Sequence, residues 1–178
     1  DFARNGHTVI RSFLSPKLLN TQIQPVLYNH HRSTQNSLSA WQQKVQVASS
    51  LPSSVVQNQC PTVASCQSKL KQLFQTSIVE IPFLQHFNTW RTNPLIETFV
   101  TSPLLASAAA ILLDIPSVRL YQDALFVKHL SKDGPTPWHS DAKMAPFDTS
   151  HFITFWIPLQ YIPKDGGTGL RFVDKSHV

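Results

Sequence analysis

Apolar residues recur at helical spacing in the first two thirds of the chain and at strand spacing after residue 117. Phe2–Leu14 reads as a short helix broken at Asn5-Gly6 and followed by an alternating, strand-like His7–Phe13. Ser15-Pro16 sets a capping hydroxyl beside a proline and predicts a helix running to about Tyr28. From Asn29 to Ser68 the chain turns to Ser, Gln and Asn, with a thin set of apolar residues at Trp41, Val45, Val47, Val55 and Val56. That stretch, about 29–68, reads as an insertion, helical near Trp41–Val47 and otherwise loop. Apolar periodicity returns at Leu70–Phe74, and Ser102-Pro103 opens an alanine-rich helix over Leu104–Leu113 that Asp114-Ile115-Pro116 ends. Val118–Lys128, His151–Tyr161 and Leu170–Val173 then predict strands separated by Pro, Gly and Asp turns. Helices followed by strands predict an α+β chain or a helix-decorated β-sandwich.

Composition narrows this picture. At 178 residues the chain suits one domain, and 42% apolar with 14% charged residues excludes a disordered tail. The longest apolar run, Leu104–Ile115, is interrupted by Asp114 and is too short to cross a bilayer, so no membrane span is expected. No signal-peptide pattern opens the chain. Cys60 and Cys66 lie six apart in a polar stretch; a bridge is sterically possible, but the spacing reads as free thiols, which points to an intracellular setting rather than a secreted one.

The net charge of +5 invites a nucleic-acid reading, and its distribution weakens it. Residues 2–79 hold seven Lys/Arg and no carboxylate, whereas residues 80–178 are close to neutral. The seven cations (Arg4, Arg11, Lys17, Arg32, Lys44, Lys69 and Lys71) are scattered rather than gathered into the stripe a phosphate backbone requires. No nucleic-acid partner is expected.

Chemistry concentrates at His139-Ser140-Asp141. In an extended segment residues two apart share a face, so an imidazole nitrogen and a carboxylate oxygen can converge on one divalent ion such as Fe(II). A triplet of this kind arises by chance roughly 0.4 times in a chain of this composition, so a hydrogen-bonded loop pair is the competing reading and context must decide. Lys128 ends an otherwise apolar run, Ala124–Val127, and calls for either an anion or a path to solvent. Trp156 alternates with Phe155, and core packing alone would justify either. The Gly166-Gly167-Thr168-Gly169 turn lacks the Lys-Ser/Thr of a phosphate loop and reads as a hairpin turn. The remaining histidines (His7, His30, His31, His86, His129 and His151) show no ligand spacing.

The ordered set Leu-Tyr-Gln-Asp-Ala-Leu-Phe-Val-Lys (120–128), Pro-Thr-Pro-Trp-His-Ser-Asp (135–141), Ile-Thr-Phe-Trp-Ile-Pro-Leu (153–159) and Leu-Arg-Phe-Val-Asp-Lys-Ser-His (170–177) resembles the phytanoyl-CoA dioxygenase family of iron(II)/2-oxoglutarate oxygenases. Asn5–Ser15 resembles that family's opening segment, so the resemblance covers about 1–28 and 90–178. It implies a double-stranded β-helix, a jelly-roll or cupin-like core, with flanking helices. It further implies a single domain over 1–178, incomplete at its C-terminal side and carrying the Ser/Gln-rich stretch as an insertion.

By resemblance, His139 and Asp141 match the first two iron ligands, and an Asp at 141 favours hydroxylation over halogenation. Lys128 and Trp156 match positions that face 2-oxoglutarate, and Gln122 a position that faces substrate in some members. The implied activity is hydroxylation of a small or lipid-like organic substrate with O₂. The family's distal histidine and cosubstrate arginine are expected beyond the Ser176-His177 segment, where Asp174-Lys175 replaces a Pro-Gly turn. His177 is therefore not expected as the distal ligand, and Arg171 comes too early to be the cosubstrate arginine. The alternatives are a non-catalytic jelly-roll scaffold and a cupin-like metalloprotein that does not use 2-oxoglutarate.

Overall fold

The computed structural model describes residues 2–74, 84–128, 136–143, 145–163 and 169–177. The proposed turn at 131–134, His129 and all of the 166–169 turn except Gly169 lie outside them. The chain divides into two compact units: Asp1–Pro25, Thr89–Asp123 and Thr136–Val178 form the first, and Val26–Asn88 with Ala124–Pro135 form the second.

Helices dominate. In chain order they are α1 (Phe2–Asn5), α2 (Pro16–Leu18), a π-helical turn (Leu19–Ile23), α3 (Gln24–Thr34), α4 (Leu38–Ser49), α5 (Ser53–Gln59), α6 (Val63–Phe74), α7 (Pro94–Val100) and α8 (Pro103–Leu113). The starts follow local chemistry. Ser15, Ser37, Asn93 and Ser102 each accept a backbone N–H with the side chain, and Pro16, Pro94 and Pro103 supply the fixed φ of a first turn. Pro25 lies inside the continuous helical run from Pro16 to Thr34. A proline there lacks an N–H and presses its ring on the preceding turn; the wide turn at Leu19–Ile23 relieves that clash, and the helix continues past Tyr28 to Thr34.

The expected jelly roll is not formed. Among the described residues the sheet consists of β1 (Leu84–Phe87) and β2 (Ala124–Val127), antiparallel with Leu84 opposite Val127 and Phe87 opposite Ala124. Of the strand expected over Val118–Lys128, only Ala124–Val127 is paired. His7–Phe13, His151–Tyr161 and Leu170–Val173 run with neither helix nor ladder partner. Alternation survives in 151–160, where odd positions from Ile153 onward are the less exposed. A period of two describes how side chains face along a chain, but a sheet also needs a neighbouring strand to take up the backbone groups. The result is a mostly helical fold with a small open sheet.

In the second unit the Ser/Gln-rich stretch is helical rather than loop: α5 and the first half of α6 occupy residues expected to be irregular. Trp41, Val45, Val56, Cys60, Cys66 and Leu70 form its buried cluster, with Ala48, Leu51 and Val63 packed around it. Val47 remains exposed. Lys44 is 2% exposed; its Nζ donates to the Gln35 carbonyl at 3.2 Å and lies 4.1 Å above the Trp41 ring. Burial lowers the pKa of this ammonium from its ordinary value. The Gln43 side chain hydrogen-bonds β1 like a one-residue strand: its Nε2 donates to Gln85 O at 2.7 Å, and the Gln85 N–H donates to its Oε1 at 3.1 Å.

In the first unit Ile23, Ile96, Leu105 and Ala109 are buried. The stretch Pro94–Leu113 is long and apolar enough to cross a membrane by length and composition alone. The Ser102 cap and Pro103 divide it into helices of 7 and 11 residues, each shorter than the roughly 20 a spanning helix needs. Asn5 and Lys175 join the two ends of the chain through a 3.1 Å backbone bond, the His177 Nε2–H donates to Ala3 O at 3.1 Å, and His7 stacks on Phe172 with ring centres 4.6 Å apart.

Candidate functional site

Residues 136–140 run without regular structure into a 3-10 turn at Asp141–Lys143, closed by the Lys143 N–H on Ser140 O at 3.1 Å. His139 stands two residues before Asp141, the first residue of this turn, and its Nε2 lies 3.3 Å from Asp141 Oδ1. His139 Nδ1 lies 2.7 Å from the Pro137 carbonyl. A carbonyl can only accept, so Nδ1 carries a hydrogen and Nε2 is the atom turned toward the carboxylate. A neutral imidazole in this tautomer places a lone pair against a carboxylate oxygen. Two acceptors 3.3 Å apart repel unless a proton or a cation lies between them.

That donor set suits a divalent metal of intermediate hardness. An imidazole nitrogen and a carboxylate oxygen, each about 2.1 Å from a shared ion, would stand roughly 3 Å apart as neighbouring ligands. Both side chains are more than 40% exposed, which leaves room for further ligands. Among the described residues no group of three or more His, Cys, Asp or Glu side chains is placed to hold a metal. His139 and Asp141 are two such donors side by side.

The other candidates fall in separate places. Gln122 is exposed beside Tyr121, whose ring meets Phe147 edge-on at 4.7 Å, and Phe147 in turn lies 6.5 Å from Phe152. Trp156 is 43% exposed on the unpaired 151–163 segment. Lys128 follows directly on β2 in the second unit and is exposed. His177 is engaged at the N-terminal turn through Ala3.

Sequence reasoning missed two features. The Pro137 carbonyl that fixes the His139 tautomer sits two residues before the histidine, a spacing that was legible. The His31–His86 pair in the second unit joins positions 55 residues apart and left no local signal.

The family model for phytanoyl-CoA dioxygenase (PhyH) matches residues 2–178. The chain therefore belongs to the phytanoyl-CoA dioxygenase family, within the wider class of iron(II)/2-oxoglutarate oxygenases. No curated protein and no solved structure shows significant similarity to it.

Proposed function

We propose that this chain supplies the first two iron ligands, His139 and Asp141, of an Fe(II)- and 2-oxoglutarate-dependent hydroxylase acting on a small or lipid-like organic substrate. The observation that carries this reading is the convergence of His139 Nε2 and Asp141 Oδ1 at 3.3 Å, with the tautomer set by Pro137. Iron(II), when bound, would supply the oxidation chemistry, coupling decarboxylation of 2-oxoglutarate to insertion of oxygen into a substrate C–H bond. The chain's own part is to hold and orient. Pro137 would keep the imidazole lone pair available to the ion, and Asp141 would contribute a hard anionic donor that offsets part of its charge. By their match to the family's positions, Lys128 is assigned to a carboxylate of the cosubstrate, Trp156 to the cosubstrate pocket and Gln122 to substrate.

The test is succinate formation from 2-oxoglutarate by the protein with Fe(II), alongside metal binding followed with Co(II) absorbance. His139→Ala and Asp141→Ala should each abolish succinate formation and weaken Co(II) binding at least tenfold. Undiminished turnover by His139→Ala would overturn the assignment. Metal binding that 2-oxoglutarate never perturbs would point to a metalloprotein with other chemistry, and absence of both to a scaffold.

A further inference from the structure

Within the second unit, three histidines from two elements meet at one point. His31 Nδ1 of α3 lies 3.0 Å from His86 Nε2 of β1, and both His30 and His31 set their rings edge-on to His86, with centres 5.2 and 5.3 Å away. The other nitrogen of His86, Nδ1, lies 3.5 Å from Thr34 Oγ1.

The direction of each bond can be deduced. Thr34 Oγ1 donates its one hydrogen to His30 O at 2.8 Å, so it can only accept from His86. His86 Nδ1 therefore carries the hydrogen, its Nε2 is a bare acceptor, and His31 Nδ1–H donates to it. The relay runs from His31 through His86 and Thr34 to the His30 carbonyl, and ties α3 to β1.

We infer that this relay is a proton-operated latch: α3 grips β1 while His86 Nε2 is bare, and a proton arriving at Nε2 opens the contact. With the His31 hydrogen on Nδ1, protonated Nε2 would set N–H against N–H at 3.0 Å and place an imidazolium between two further imidazoles. The surroundings oppose that charge. Among the described residues, the groups facing His86 are His30 and His31 on α3, with Arg32 beyond them over Tyr28; Lys44 is the titratable group of α4, β2 contributes none, and Lys128 follows it. The described residues of this unit contain no carboxylate, its two acids being Glu80 and Asp133. Burial first, then the neighbouring His30 and His31, lower the His86 pKa to about 4. A cavity of about 360 Å³, lined in part by His30, Thr34, Ser37, Gln43 and His86, admits water to the relay and gives the released ring space.

The sign follows from linkage. A base whose pKa falls on folding leaves the unfolded or opened form holding more protons, so closure is strongest above the ordinary histidine value near 6.5 and weakens as pH falls toward about 4. Local opening should rise up to tenfold per pH unit in that window.

The test uses the 178-residue chain with ¹⁵N-labelled histidine. Long-range ¹H–¹⁵N spectra at pH 7.5 should show His86 as the Nδ1–H tautomer, titrating well below 6.5. The protection factors at Gln85–Phe87, intrinsic over observed amide exchange at each pH, should fall between pH 6.5 and 4.5. His86→Gln keeps an acceptor for His31 without a titrating nitrogen and should remove that fall. An Nε2–H tautomer, a titration near 6.5, or the same fall in His86→Gln would each overturn the latch. If His86→Gln fails to fold, the spectra of the unaltered chain still decide it.

Discussion

Gln43→Ala should destabilise the second unit by about 2 kcal/mol, because Gln43 is what occupies the outer edge of β1 opposite β2. The substitution removes two hydrogen bonds to Gln85, of 2.7 and 3.1 Å, and leaves a backbone N–H and C=O without them in a half-buried position. Each such bond contributes about 0.5–1.5 kcal/mol net, and alanine's better helix propensity returns only a few tenths. For a chain of this size that corresponds to a fall in Tm of about 6 °C. Gln43→Glu sharpens the test. An ionised carboxylate can still accept from the Gln85 N–H but faces its carbonyl with no hydrogen to give, so it should cost more than alanine at pH 7. Below about pH 4 the protonated acid can donate again, and part of the loss should return relative to the unaltered chain at the same pH. Urea unfolding followed by Trp41 fluorescence reads both variants. If both unfold within about 0.3 kcal/mol of the parent at every pH, Gln43 is not holding the edge and the reasoning fails.

Gly6 has φ +79°, and an added Cβ would collide with the His177 ring, so Gly6→Ala should lose at least about 1–2 kcal/mol from conformation alone and release the contact between the chain ends. Thermal unfolding measures the loss, and an unchanged Tm would contradict it. Cys66 is buried, and burial together with Cys60 pushes its thiol pKa up to about 11. At pH 8 only about a thousandth is thiolate, so native protein should resist a thiol reagent that labels the urea-unfolded chain at once. Rapid labelling of Cys66 in the native state would refute its burial.

Helix starts were legible because a capping side chain and a proline act within three residues, as at Ser15-Pro16 and Ser102-Pro103. The helical turns of 53–68 were not, since their apolar residues are sparse and one buried face is completed by Cys60 and Cys66, which read as polar-loop thiols. Strand spacing over 151–161 correctly indicated alternation but could not supply a pairing partner, and the jelly roll that the family resemblance implied does not form among the described residues. At the candidate site, the proximity of His139 and Asp141 could be read from their spacing. What the sequence reading lacked was the 3-10 turn that Asp141 opens and the carbonyl that orients the ring.

The wide turn at Leu19–Ile23 bears on how the chain tolerates changes in length. One residue added to a helix can be absorbed as such a turn, leaving the residues on either side facing as before, and removing one there would return the helix to ordinary winding. Elsewhere the same edit has no such outlet. A deletion inside α4 would rotate everything beyond it by about 100° and swing Trp41 and Val45 out of step with each other or with their partners on α6. Insertions and deletions of a single residue should therefore accumulate among relatives just before Pro25, and be rare between Leu38 and Ser49.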